Sequence, residues 1–593
     1  MHFKVFLFSI FLGLRITEAL QSLNLSPEVQ NLTDDYWNWR LKDLPQFATF
    51  EFTTMTPCWM TCLKEAFETR FEACQNFLKR ANDLEPSLSE EADIVNLKVL
   101  KYELDTFIRS YHLKGFYLPV NCLEGPQEDL EKQFNWMPKN TYSDYETMIT
   151  RLKAIPRQID QIVDLMRAGM RIGVINSEIS MKNLTDTIGK FTLENPEESP
   201  FYKFFKEGFP SNFTQEQIKT LQNASKEVIS NFVTPAYEEL LKFISTEYVT
   251  RKDIAITSII NGEEFYDHLI WFHTSSNLSA KEIQNIGFSE VERISKEMEK
   301  IIVELGHEGK SIQEFSNMIR DDPKNYYSNS EDLVDGFENI VYNIIPPHLP
   351  EIFKNIPKAE LKVVPDPSPA APSAFYISGA YDGSRPGVFI VNDYDPRSQP
   401  KYLMMTLSLH EGNPGHHLQG SHSIESPNFP YFRRVMEDRN YGMAPSRFPI
   451  YTYYVEGWGL YAEKLGFDMG LYDNPFDRYG HYSWEIFRAC RLVVDTGMHA
   501  LGWTREEAVE YMFNNTASSR IEIENEIDRY ITWPGQALAY KIGELTLSKL
   551  RTKAEEEMGN RFDIKDFHDV VLNSFGPMDL VEEDVQKWIN ATI

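Results

Sequence analysis

Three of the chain's 13 histidines fall within eight positions, in the string His410-Glu411-Gly412-Asn413-Pro414-Gly415-His416-His417-Leu418-Gln419. A zinc ion at a catalytic site takes three N or O ligands, keeps one position open for water, and needs a nearby carboxylate to accept that water's proton. His410 and His416 are candidate ligands, and Glu411 is the candidate general base. The spacing is longer than in the His-Glu-x-x-His helix, where ligands at i and i+4 share a face. Pro414 offers no N–H to the carbonyl of His410 and pushes Asn413 out of the helical region. The helix must therefore bulge or break between Gly412 and Gly415, which can return His416 to the metal. On an unbroken helix His417 would share the face of His410 but lie about 10 Å along the axis, too far to hold the same ion. The third ligand must come from elsewhere. Glu456 is the candidate, 40 residues after His416, in the otherwise apolar and aromatic segment Tyr454-Val-Glu-Gly-Trp-Gly-Leu-Tyr-Ala-Glu463. A carboxylate on a buried helix face is costly unless it is paired or metal-bound. Glu463, one heptad on, is the fallback ligand, although its neighbour Lys464 makes a solvated ion pair the simpler account.

The elements that must position these groups are mostly helices. Ser87-x-x-Glu90, Thr214-x-x-Gln217, Ser279-x-x-Glu282, Ser289-x-x-Glu292 and Thr504-x-x-Glu507 all have the pattern of capping boxes, and the one at Ser289 is the clearest. After it, Val291, Ile294, Met298, Ile301, Ile302 and Leu305 follow a period near 3.6, and Gly306 closes the helix. Between about 345 and 372 a run of prolines breaks any helix and marks a boundary. Beyond it Ala374–Ile377 and Gly387–Asn392 are predicted strands, joined by a turn-rich loop from Tyr381 to Pro386. Helices resume at Lys401, and Trp533-Pro534-Gly535 opens a late one. The predicted organisation is a signal peptide at 1–19, a helical lobe at 20–365 and a metal-binding catalytic lobe at 366–593.

Further polar groups stand where a substrate could meet them. Arg491, Asp495 and His499 recur at i, i+4 and i+8 on an apolar helix, a stripe that needs partners if buried. Asp495 could orient a ligand histidine, and Arg491 or His499 could hold a substrate carbonyl or carboxylate. Alternatively the three form a structural pair beside a satisfied histidine. Tyr530, Tyr540 and Lys541 place phenols and a cation near helix starts.

The string from His410 to Gln419, followed by Glu456-Gly-Trp-Gly-Leu-Tyr-Ala-Glu, resembles an uncharacterised and mainly bacterial family whose members carry His-Glu-x-x-Pro-Gly-His-His and are expected to be zinc peptidases. More distantly it is similar to the gluzincins, among them angiotensin-converting enzyme, the thimet-type oligopeptidases and the Taq-type carboxypeptidases. The resemblance covers roughly 370 to 550. It implies a mainly α, two-lobed, zincin-like metallopeptidase fold with a small β-sheet beside the metal-binding helix and a central cleft. It also implies one zinc ion per chain, a peptide substrate, Glu411 as general base and a tyrosine, Tyr540 before Tyr530, for the oxyanion. An edge strand that aligns the peptide would correspond to Gly387–Asn392, with Asn392 substrate-binding beside Arg491 and Lys541, and His499 assisting catalysis. The inserted Asn413-Pro414 departs from the gluzincin pattern. Hydrolysis of short peptides is the leading expectation. An amidase or isopeptidase acting on other amide bonds, and a binding protein that has lost turnover, are the alternatives.

Composition narrows the rest. Lys and Arg number 59 against 88 Asp and Glu, a formal charge of −29, which repels nucleic acid and anionic lipid surfaces. Apolar residues at 42% allow a packed core throughout. Lys4, the apolar run Val5–Leu14 and Ala19 have the layout of a secretory signal peptide, and no later stretch is long and apolar enough to span a bilayer. Secretion or a lumenal, lysosome-like compartment follows. Glycosylation acceptors at Asn24, Asn31, Asn183, Asn212, Asn223, Asn277, Asn514 and Asn590 agree with that route. Cys58, Cys62, Cys74 and Cys122 cluster as two disulfides would require, while Cys490 reads as a buried free thiol. Phosphate-binding glycine loops, a nucleophile elbow and a Cys-His pattern are all missing from the sequence.

Overall fold

The computed structural model describes residues 25–52, 57–368, 372–381, 383, 385–435 and 451–593. The signal-peptide segment 1–19 and the acceptor Asn24 lie outside the described residues, as do 382 and 384 of the turn between the predicted strands. The fold is mainly helical with a single three-stranded sheet among the described residues.

Six helices and three strands position the site: α1 (Ala280–Glu304), β1 (Leu361–Asp366), β2 (Ala374–Ile377), β3 (Gly387–Asn392), α2 (Lys401–Glu411), α3 (His416–Glu425), α4 (Thr452–Asp468), α5 (Pro475–Ala500) and α6 (Ala539–Met558). The capping boxes at Thr214, Ser279 and Thr504 are formed. Two expected boxes are not. The helix after Ser87 has Glu90 at its N-cap with no side-chain cap, and Ser289 lies inside α1, its hydroxyl donating to Asn285 O. Both Ser279 and Ser289 match the motif, and packing decides between them. A start at Ser289 would expose Ala280, Ile283 and Gly287, which are buried along α1. A capping box contributes about 1 kcal/mol, less than the roughly 1.5–3 kcal/mol of burying one isoleucine.

Val291, Ile294, Met298, Ile301 and Ile302 of α1 pack on Ile486, Phe487, Cys490, Val494 and Met498 of α5. The two helices touch at Gly287, where a Cβ would stand 2.7 Å from Val493 Cγ2. A second close crossing joins α4 and α6: a Cβ on Gly457 would lie 2.5 Å from Gly543 Cα. The largest core cluster runs from Leu32 to Ile589, so residues on both sides of the proline-rich stretch share one apolar interior.

Strand order in the sheet is β1-β3-β2, with β1 parallel and β2 antiparallel to β3. β1 escapes the sequence reading because Pro365 sits in it. Proline is tolerated on an edge strand whose N–H side need not pair. The central position of β3 corrects the expectation that Gly387–Asn392 is an edge strand: it is paired on both sides and has no free backbone for a peptide. Phe389 and Val391 of β3 pack with Met404 and Leu407 of α2, which ties the sheet to the helix that carries His410.

The expected disulfides are also corrected. Cys58, Cys62, Cys74, Cys122 and Cys490 are all free. Cys62 Sγ accepts from Gln158 Nε2 at 3.0 Å, Cys74 faces the core, and the Cys122 thiol sits 3.7 Å from Thr532 Oγ1. Proximity in sequence did not place these thiols face to face. Burial pushes the Cys62 thiol up to about 11, so it stays protonated.

Candidate metal centre

His410 and Glu411 are the last residues of α2, and the chain then breaks. Gly412 takes φ −94°, ψ −130° and Gly415 φ −76°, ψ −127°, so neither continues the helix. A side chain on Gly415 is excluded, since its Cβ would lie 1.9 Å from His410 O. The turn is pinned from α4 by Trp458 Nε1, which donates to Pro414 O at 2.8 Å. The helix restarts at His416, whose ring meets that of His410 at 4.6 Å between centroids and 82° between planes.

Glu456 on α4 completes the group. Its Oε2 lies 3.5 Å from His410 Nε2 and 3.4 Å from His416 Nε2, and one ligand atom from each of the three falls within 4.8 Å of the others. Tetrahedral zinc with bonds near 2.05 Å separates its ligand atoms by about 3.3 Å, so this donor set fits the ion in chemistry and spacing. The approach of α4 to α2 depends on Gly459, where a Cβ would meet His410 Cε1 at 2.7 Å.

Glu463, one heptad beyond Glu456, is fully buried. It is neither a ligand of the cluster nor paired with Lys464, whose Nζ goes to Ser548 Oγ at 3.2 Å and Glu544 Oε1 at 3.6 Å. Instead its Oε1 lies 2.8 Å from His410 Nδ1 and 3.6 Å from Arg488 Nη2. A carboxylate behind a ligand histidine fixes the tautomer and presents Nε2 to the metal. Burial works against charge on His410, but the hydrogen bonds to Glu456 and Glu463 outweigh it and hold the imidazolium up to about 9. Burial likewise opposes ionisation of Glu456, and hydrogen bonds from His410 and His416 override it, keeping that carboxyl well below its usual range.

Glu411 is 8% exposed and makes no hydrogen bond or ion pair with the described residues, while its charge acts on His410. His417 points away from the cluster: Nε2 lies 3.1 Å from Ala359 O and Nδ1 3.2 Å from Tyr376 OH.

The remaining candidates are each engaged by partners of their own. Both ring nitrogens of buried His499 are engaged, Nδ1 by Ile256 N at 3.1 Å and Nε2 by Tyr530 O at 2.9 Å, so no atom is left for a substrate. Asp495 orients no ligand histidine; it accepts from Tyr266 OH at 2.6 Å and from Gly535 N. Burial pushes its carboxyl up to about 7. Lys541 is enclosed by Glu485 and Glu544 at 2.7 Å and Glu290 at 3.1 Å, an internal cation with its charge already met. Asn392 buttresses a loop, its Nδ2 donating to Ser368 O at 3.2 Å and its Oδ1 accepting from Tyr394 N. Arg491 donates to Tyr530 OH at 2.7 Å and to Glu526 Oε2 at 3.0 Å. Tyr540 lies under the Arg491 guanidinium at 4.4 Å, its hydroxyl accepting from Gln536 Nε2 at 3.1 Å. Sequence reasoning missed Glu463 as an orienting group and overlooked Arg488. The signal was present, since Glu463 repeats Glu456 at heptad spacing in the same apolar segment.

Fold and site together define a mainly helical protein with a partly buried His-His-Glu cluster at a broken helix. The chain belongs to a family described as bacterial protein of unknown function, DUF885, whose profile matches residues 59–585. It is similar in structure to a candidate lipoprotein from Colwellia psychrerythraea, with 27% identity and a TM-score of 0.85 over 95% of this chain and 99% of that one. A candidate lipoprotein of unknown function from Shewanella oneidensis shares the fold at 15% identity and a TM-score of 0.64, over 94% of this chain and 99% of that one. No curated protein matches the chain by sequence.

Proposed function

We propose that the chain is a zinc-dependent hydrolase of peptide bonds in short peptides. One observation carries the reading: ligand atoms of His410, His416 and Glu456 converge within 4.8 Å, beside a carboxylate on the residue next to the first ligand. When bound, zinc supplies a Lewis acid that polarises a carbonyl and makes water acidic enough to lose a proton near neutral pH. Glu411 takes that proton and returns it to the leaving amine. Glu463 keeps His410 in the tautomer that faces the cluster. Tyr540, whose hydroxyl accepts from Gln536 and keeps its own proton to give, is the candidate donor to the developing oxyanion.

An exported or envelope-associated location is part of the proposal. It is supported by the N-terminal apolar run and by the descriptions of the two structural relatives as candidate lipoproteins. Among the described residues no helix is long and apolar enough to cross a membrane.

The test compares the purified protein with its Glu411→Gln variant for metal content and for cleavage of a mixed peptide library read by mass spectrometry. About one zinc per chain in both, with cleavage by the wild type alone, is the expected result. Zinc-loaded wild type that leaves every peptide intact would sink the peptidase reading and favour another amide substrate or a binding role.

A further inference from the structure

Three arginines cluster behind the candidate centre and share two ion-pair carboxylates. Arg488 and Arg491 sit one turn apart on α5, with side chains only 7% and 6% exposed. Arg529 comes from the helix Arg520–Thr532. The carboxylates against them are Glu463, 3.6 Å from Arg488, and Glu526, 3.0 Å from Arg491 and 3.4 Å from Arg529. In direct ion pairs, the three guanidinium groups therefore share two carboxylates, Arg488 and Arg491 being buried and Arg529 about a quarter exposed.

The unmet hydrogen bonds point the same way. Arg488 Nε, Arg491 Nη1, Arg529 Nε and the indole Nε1 of neighbouring Trp484 are buried and have no acceptor. Each orphaned donor costs about 1–3 kcal/mol, more when charged, so four in one cluster are costly unless an acceptor meets them. Guanidinium donors suit a planar, bidentate carboxylate. The cluster borders the metal centre, because Arg488 is joined to His410 through the single carboxylate of Glu463, and Arg491 is stacked on Tyr540.

We propose that Arg488, Arg491 and Arg529 seat the free α-carboxylate of a peptide, which makes the chain an exopeptidase that cuts close to the C-terminus. The inference rests on the peptidase reading and adds the substrate's defining group. Such a seat gives up several charge-assisted hydrogen bonds when the carboxylate is replaced by an amide, and a site built for a buried polar group rejects the analogue that lacks it.

The test uses zinc-loaded full-length protein and two pentapeptide libraries of the same sequences, one ending in a free carboxylate and one in a carboxamide. The expected result is release of C-terminal fragments from the acid library, with kcat/KM at least about 100-fold lower on the amides, and loss of that preference in Arg491→Gln. Equal cleavage of the two libraries by the unaltered protein would overturn the proposal, whatever the variant does. A calorimetric arm with zinc-loaded Glu411→Gln protein separates this idea from the function it rests on. If peptide hydrolysis fails but acids still bind at least about 100-fold tighter than amides, the carboxylate seat stands without the peptidase. If acids and amides bind alike, or neither binds, the seat is refuted.

Discussion

At the scale of single residues, the geometry of the His410 cluster bears first on a proton. Burial lowers the His410 pKa, but the hydrogen bonds to Glu456 and Glu463 outweigh it and raise it from 6.5 to about 9. A group whose folded pKa is raised contributes stability that is fully present below its unfolded pKa and lost as pH climbs through the folded one. The shift corresponds to about 3 kcal/mol. Zinc-stripped protein should therefore unfold at lower denaturant concentration at pH 10 than at pH 6, a difference that His410→Gln removes. Zinc must displace the same proton, so apparent zinc affinity should rise by about tenfold per pH unit between 7 and 9. A flat profile in a competitive chelator titration would count against the Glu456–His410–Glu463 arrangement. Glu463→Gln keeps the shape but not the charge behind His410. It is expected to lower zinc affinity about 10–100-fold while leaving the fold intact by circular dichroism.

At the scale of elements, two glycine contacts decide whether the ligands meet. Gly459 lets His410 lie flat on α4, and Gly457 with Gly543 lets α4 press against α6. Gly459→Ala would drive a methyl into the imidazole, and overpacking of this kind costs about 1–3 kcal/mol. Because that methyl would fall on a ligand, zinc content should drop more than thermal stability does. Gly457→Ala should show the reverse, a lowered Tm with zinc retained at moderate temperature, since its clash is with backbone on the far side of the helix. Pro414 made the helix break legible in the sequence, and Gly415 makes it tight. Helix limits were less legible: Ser279 and Ser289 carry the same local motif, and only the partner helix selects between them.

For the whole molecule, the formal charge of −29 contrasts with a cluster of three arginines beside the candidate site. A local field of opposite sign can draw an anionic group into a cleft of an acidic protein. The thiols offer an independent check. Alkylation under denaturing, non-reducing conditions should modify all five cysteines, and a reductant should not shift Tm. Blocked thiols at Cys58, Cys62, Cys74 or Cys122 would revive the disulfide pairing. The seven described glycosylation acceptors, Asn31 through Asn590, are all exposed, so expression through a glycosylating secretory route should give protein whose mass falls on treatment with an N-glycosidase.

Much of the site was legible because its chemistry is local in sequence. A histidine, a carboxylate and a second histidine around a proline in one short string suggest candidate metal ligands and a candidate base by type and spacing, and Glu456 stands out as a charge in an apolar segment. Strands β2 and β3 and the face of α1 were legible for the same reason, since period and branching act through near neighbours. Glu463 behind His410, the engagement of Lys541 and His499, the central place of β3 and the separate surroundings of the cysteines were not. Each depends on which side chains meet across elements dozens to hundreds of residues apart. A buried charge or donor takes whatever partner the packed core brings to it, and only the tertiary structure decides which one that is.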